Sequence, residues 1–82
     1  SYTDHTATVQ HGKKVSVELG ELPETAVQFA MTPLYGTVRL NMDGTLDYRA
    51  MRGYAGEDTI KITFYDGKGG SKTITVSITV TE

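Results

Sequence analysis

The fold is decided by two stretches, IKITFY at residues 60–65 and TITVSITV at residues 73–80. Apolar side chains occupy every second position in both, the period expected when one face of a strand is buried and the other is wet. A glycine-rich segment, DGKGG at residues 66–70, separates the two stretches. They therefore predict a central hairpin, and the shared inward face requires an odd number of loop residues, which this segment supplies.

The same alternation continues through the rest of the chain, and no stretch has a helical period. Two early strands are joined at His11 and Gly12, and Pro33 is expected to end the third strand because it cannot donate to a ladder. About seven strands predict an all-β, two-sheet antiparallel sandwich, with a small barrel as the alternative. The inward sets ahead of residue 60 are Ala7 and Val9; Val15, Val17 and Leu19; Val27, Phe29 and Met31; Val38 and Leu40; and Leu46, Tyr48 and Ala50.

Parity also predicts the turn before residue 45. A two-residue loop of Asp43 and Gly44 would place Leu40 opposite Asp47, on the wrong face. A loop of residues 42–44 instead sets Leu40 opposite Leu46 and leaves Met42 outside the core. This loop is a type I turn followed by a left-handed residue, a conformation that suits glycine.

This register makes a testable prediction about two loops. Gly44→Val and a one-residue deletion at Gly69 are both expected to destabilise the fold, because each disturbs a loop whose length sets which side chains face inward. A melting temperature that is unchanged in both variants would refute the register.

Composition limits the function further. With 82 residues, 38% of them apolar, the chain is long enough for a single domain over residues 1–82. The net charge of −2 gives none of the positive field that nucleic acid requires, and no apolar run is long enough for membrane insertion. There is no cysteine, so neither a disulfide nor a thiolate metal site stabilises the core.

No catalytic set is found in the sequence. His5 and His11 both lie near the amino end, and neither Ser16, Ser71 nor Ser77 stands in a strand-turn-helix context. We therefore predict no enzyme activity and no catalytic residue. The two histidines are not at a spacing that a strand would converge on zinc, so we also predict no metal site and no cofactor-binding residue.

The pair Glu57 and Asp58 is a candidate for acid catalysis or for binding a hard cation. Adjacent strand residues point to opposite faces, so the favoured interpretation is that Asp58 ties down the turn after Gly56 by accepting backbone N–H bonds. Asp66 is likewise interpreted as a turn former, because its glycines connect strands and open no helix.

The tyrosines are the second candidate. Tyr2, Tyr35, Tyr54 and Tyr65 are candidates for an aromatic surface that stacks on sugar, whereas Tyr48 and Tyr54 are predicted to be buried by position. Structure is favoured over sugar binding, with the Tyr54 hydroxyl closing a tyrosine corner of the sandwich.

Three spaced motifs resemble the bacterial cadherin-like and Ig-like tandem repeat of surface proteins and adhesins. They are PLYGTVRLNMDGTLDY at 33–48, GYAGEDTI at 53–60 and DGKGG at 66–70. The resemblance implies a non-catalytic spacer repeat of an extracellular or cell-surface bacterial protein, supporting adhesion beside neighbouring repeats in the same chain. The alternative is a binding module for polysaccharide or a cell-surface protein partner.

The resemblance also bears on calcium. Many members carry an acidic run after the second strand, whereas this chain has GELPET at residues 20–25, too few carboxylates for an intradomain site. We therefore expect no cofactor within the domain. Calcium is implied only at a domain junction, where Asp4, Asp58 or Asp66 would meet ligands from a neighbouring repeat.

Overall fold

The computed structural model describes residues 4–20, 26–65 and 67–82, and this part of the chain contains strands and no helix. In it, accordingly, no helix is long and apolar enough to cross a membrane. The predicted all-β class with about seven strands is confirmed. The strands are β1 (His5–Gln10), β2 (Lys14–Glu18), β3 (Ala26–Met31), β4 (Gly36–Leu40), β5 (Thr45–Ala50), β6 (Gly56–Tyr65) and β7 (Ser71–Thr81).

The strands form two sheets, as the sandwich prediction requires. One sheet has the order β1-β7-β6-β3 and the other has the order β2-β5-β4. All neighbours are antiparallel except β1 and β7, which run in parallel from the pair His5 and Val76 to the pair Gln10 and Thr81. Consecutive strands β1 and β2 belong to different sheets, so the turn at His11 and Gly12 carries the chain across the sandwich.

The core lies between the sheets and is built from the predicted alternation. All inward residues predicted for β5, β6 and β7 are buried, while Ala7, Val15, Val38 and Leu40 are partly buried against them. Burial of apolar surface contributes roughly 25 cal/mol per Å², so in this chain without cysteine these side chains carry the stability. The largest fully buried side chains are Tyr48, Leu46, Ile60, Ile62, Ile74, Ile78 and Val76.

Both predicted hairpin registers are confirmed. Ile62 lies opposite Ile74 and Tyr65 lies opposite Ser71, which leaves the odd five-residue connection at 66–70. Leu40 lies opposite Leu46, and the Asn41 N–H donates to the Thr45 carbonyl across the three-residue loop. The alternation therefore predicted the loop lengths correctly. A loop with an even number of residues would have turned the apolar side chains of the next strand toward water.

The prediction for β3 is wrong at Met31. Phe29 lies opposite Ile62 on the inner face, but a register shift follows, and Met31 lies opposite Lys61 on the outer face. A β-bulge adds a residue to one strand and so reverses the alternation beyond it. Val27 lies opposite the buried Phe64, yet it is exposed because β3 is the edge strand of its sheet.

The structure gives a physical cause for the destabilisation expected of Gly44→Val. The φ of Gly44 is +93°, and a Cβ there would clash with the Gly20 carbonyl oxygen. Gly53 is a matched control because its φ is +91° and a Cβ there would meet no heavy atom of the described residues within 4 Å. We expect Gly53→Val to cost about 1–2 kcal/mol and Gly44→Val to cost at least about 2 kcal/mol more in urea unfolding. Equal losses would contradict the packed turn.

Candidate interaction surface

Three loops and the last strand meet at one end of the sandwich. Here the His11 N–H donates to the Thr81 carbonyl and the Gly12 N–H donates to the Ala50 carbonyl, so the first turn is joined to the ends of β7 and β5. We call this the exit end, defined by residues 11–13, 32–35, 51–55 and 81–82. The opposite end carries the 42–44 turn and is called the turn end.

Asp58 is the best-connected side chain of the exit end. It is buried, and its Oδ1 accepts the backbone N–H of Leu34 at 2.9 Å while its Oδ2 accepts that of Tyr35 at 3.0 Å. The Tyr48 hydroxyl donates to the same Oδ2 at 2.8 Å, and the Thr59 N–H donates to Oδ1 at 3.1 Å. A carboxylate can be buried at tolerable cost when donors surround it in this way.

The prediction that Asp58 accepts backbone N–H bonds is therefore confirmed, but the predicted donors are wrong. Two of the bonds come from the loop between β3 and β4 instead of from the turn after Gly56. Glu57 points to the opposite face, as predicted, and its carboxylate accepts the Thr79 hydroxyl at 3.2 Å. The two carboxylates thus share no site, which removes this pair as a catalytic or cation-binding candidate.

Tyr48 completes the buried contact from the other sheet. Desolvation raises the pKa of its hydroxyl above the ordinary value of 10, and the hydrogen bond to Asp58 raises it further. The phenol therefore stays neutral at physiological pH and donates a hydrogen bond to the carboxylate. Because Tyr48 lies on β5 and Asp58 on β6, this bond links the two sheets through the core.

Tyr35 and Tyr54 stack on each other at the exit end. Their ring centroids are 3.8 Å apart and their planes are 8° from parallel. The Tyr54 hydroxyl donates to the Glu57 carbonyl at 2.8 Å, which confirms the predicted tyrosine corner. Each ring covers one face of the other. Tyr65 is the last residue of β6 and lies at the turn end, and Tyr2 lies outside the described residues. The structure therefore does not bring Tyr35, Tyr54 and Tyr65 together in one sugar-stacking surface.

An open groove lies beside this stack. Its apolar wall includes Leu34 and Met51, whose side chains are 78% and 53% exposed. The Met51 N–H donates to the Tyr35 carbonyl at 2.9 Å, so the two loops that form the groove are bonded to each other. Arg49 and Arg52 line the same groove and are exposed. Sequence reasoning missed this surface, although two large apolar side chains predicted in loops were the available signal.

The chain is similar to known proteins in sequence and in fold. A family model described as the bacterial Ig domain matches residues 2–79. The chain belongs to the bacterial Ig domain family. This confirms the Ig-like resemblance seen in the motifs. No curated protein sequence matches the chain.

A solved structure agrees with the Ig fold. The crystal structure of InlP from Listeria monocytogenes superposes with a TM-score of 0.58 at 13% sequence identity. The alignment covers 94% of this Ig domain and 26% of the InlP chain, so the domain spans about a quarter of that protein. At this identity the likeness is one of fold alone.

In the Ig domain, two of the candidate nucleophile and ligand side chains make structural hydrogen bonds. The Ser16 hydroxyl donates to Asp47, and the His11 Nδ1 accepts the Gly53 N–H at 3.1 Å. The Nε2 of His5 is buried and has no hydrogen-bond partner among the described residues. In residues 4–20, 26–65 and 67–82, no group of three or more His, Asp or Glu side chains is placed to hold a metal ion.

The outer face of the three-stranded sheet is basic. Lys14 lies directly opposite Arg49, and Arg39 lies opposite Asp47 on the neighbouring strand pair. Hydrogen bonds from Ser16 and Asn41 lower the pKa of Asp47, so it stays charged at neutral pH. Like charges directly opposite each other disfavour a sheet pair, but the Asp47 carboxylate lies on the same face, and Lys14 and Arg39 stabilise its charged form.

The Asp58 contacts predict a large difference between adjacent carboxylates. Asp58→Ala leaves the Tyr48 hydroxyl and the N–H groups of Leu34 and Tyr35 without their acceptor, and is expected to cost roughly 3–4 kcal/mol in chemical unfolding. Glu57→Ala is the control and should change stability by no more than about 0.5 kcal/mol. Similar losses in the two variants would show that the buried carboxylate does not hold the exit end together.

Proposed function

We propose that this Ig domain is a non-catalytic spacer repeat of an extracellular or cell-surface bacterial protein, one of several tandem copies that support adhesion. Each copy holds its neighbours apart along one direction. The motif resemblance to repeats of surface proteins and adhesins supports this proposal, and so does the structural use of Ser16 and His11. The cadherin-like designation remains part of the same prediction.

The direction of the chain is the observation that carries the proposal. β1 and β7 are parallel neighbours and both run toward the exit end, so the chain enters β1 from the side of the turn end and leaves at the exit end. The sandwich is elongated, with principal extents of 43 × 20 × 18 Å. Successive copies would therefore follow each other along the long axis, as a spacer requires.

Small-angle scattering of a chain of two directly joined copies tests the spacer function. We expect its maximum dimension to be about twice that of the single domain, because entry and exit lie at opposite ends of the long axis. The single domain at matched concentration is the control for self-association. A two-copy chain whose maximum dimension stays close to that of one copy would overturn the proposal.

Calcium at a junction stays a prediction of the resemblance. Of the three carboxylates that the resemblance offered, Asp58 is enclosed by donors within the domain and Asp66 lies outside the described residues. Asp4 is exposed. Of the two described carboxylates, Asp4 is the one that a junction site could draw on, together with ligands from a neighbouring repeat.

A second candidate function is supported by the basic face. Lys14, Arg39 and Arg49 line one shallow depression that also includes Thr37 and Asp47. Clustered cations of this kind suit a polysaccharide that carries carboxylate groups, since Arg and carboxylate pair in bidentate geometry. We therefore propose the sheet face, instead of the tyrosines, as the site of the polysaccharide alternative.

Binding of polygalacturonate, a linear carboxylated polysaccharide, tests this candidate by titration calorimetry. We expect binding that weakens as salt rises and is lost on the double change Lys14→Ala and Arg49→Ala. An uncharged polysaccharide, dextran, is the control and should not bind. Equal behaviour of the two polymers, or no effect of the double change, would contradict the basic face as the site.

A further inference from the structure

We propose that the groove at the exit end receives the 42–44 turn of a second copy of this domain, so that copies dock head to tail with Met42 in the groove. The inference rests on the proposed tandem function and names the surfaces that meet in it. One partner surface is the groove of Leu34, Met51, Arg49 and Arg52. The other is the tip formed by Met42 and Asp43.

The groove has the features of an unfilled contact surface. Leu34 and Met51 are large apolar side chains, and both remain mostly open to water. Gly36 and Ala50 also line the groove, where the Tyr48 ring occupies the place of a Gly36 side chain and Ala50 is buried. Apolar area of this kind at one end of a small domain indicates a partner surface.

Met42 is the matching apolar projection. Its side chain is fully exposed, at 100% of the reference area, at the tip of the hairpin between β4 and β5. The turn beneath it is held rigidly, since the Asn41 amide donates to the Thr45 hydroxyl and that hydroxyl donates to Asp43. A projection that is already ordered loses little conformational entropy when it docks.

The charges at the two ends are complementary. Asp43 lies next to Met42, and hydrogen bonds from Thr45 lower its pKa, so the tip is anionic at neutral pH. Both bonds from Thr45 are accepted by the Oδ1 of Asp43. Arg49 and Arg52 at the rim of the groove supply guanidinium groups of opposite charge. A Met42 side chain inserted into the groove would thus contact its apolar side chains. The adjacent Asp43 carboxylate would meet the two arginines.

The topology brings these two surfaces face to face in tandem copies. Gly36 at the start of β4 lines the groove, and the turn follows Leu40 at the end of the same strand, so the two surfaces lie at opposite ends of one sheet. The chain leaves at the exit end and the next copy begins at its turn end. A contact between two different surfaces of the same domain repeats in one direction, as a row of spacers would.

Methyl NMR of the two-copy chain tests the contact through its two methionines. With only the first copy labelled, we expect its Met51 methyl to shift relative to the single domain; with only the second copy labelled, we expect its Met42 methyl to shift. Tethering raises the effective concentration into the millimolar range, so a weak contact is populated. Met42→Ser in the second copy should reduce the equilibrium constant for docking by about tenfold, because it removes the inserted apolar group.

Matched variants separate this contact from general effects. Met31→Ser in the second copy replaces another exposed methionine, on β3, and should leave the Met51 shift unchanged. Arg52→Glu in the first copy should weaken docking about two- to fivefold, and adding Asp43→Lys in the second copy should restore it. Asp43→Lys alone is expected to weaken docking. Asp43→Asn tests the charge by itself, because the amide oxygen can still accept the bonds from Thr45.

The outcomes are distinct from those of the scattering experiment. Methyl shifts identical in the one-copy and two-copy chains would overturn this proposal even if the chain is extended, and the spacer function would then stand without a fixed joint. A Met51 shift that persists in Met42→Ser would also overturn it, since another segment would then occupy the groove. Loss of extension with the methyl shifts present would instead contradict the spacer function.

Discussion

The buried carboxylate of Asp58 is the interaction on which the rest of the exit end depends. It sits on β6 of the four-stranded sheet and accepts the hydroxyl of Tyr48 from the three-stranded sheet. Its remaining bonds fix the backbone of Leu34 and Tyr35 in the loop between the sheets. One charged group therefore joins both layers and a connecting loop, and a buried charge stays inside a small core only when it is enclosed in this way.

The surface features of the exit end follow from that enclosure. Because Asp58 holds the Leu34 and Tyr35 amides, the Leu34 side chain is directed away from the core, and the Tyr35 ring is placed against Tyr54. The Tyr35 carbonyl in turn accepts the Met51 N–H, which positions the second apolar side chain of the groove. The groove is thus an extension of the buried hydrogen-bond network, and its apolar side chains are exposed on an ordered backbone.

The sequence predicted those parts of the fold that period and parity control. The hairpin of β6 and β7 and the three-residue loop ending at Gly44 were predictable because an error of one residue would expose a whole apolar set. Met31 was not, since a bulge reverses the alternation without changing composition. The bonds from Leu34 and Tyr35 to Asp58 span 24 and 23 residues, so local turn chemistry led instead to the nearby Gly56.

The strand β4 connects the two surfaces of the proposed joint. Its first residue, Gly36, lines the groove, and the turn with Met42 and Asp43 follows its last residue, so the motif at 33–48 contributes to both surfaces. A domain built in this way is complementary to its own copies and would associate without limit if it were free. In the proposed tandem array each groove would be filled by the next copy, and only a terminal copy would keep an open surface. The Leu34 and Met51 side chains, exposed in the single domain, would then be contacts between copies of that array.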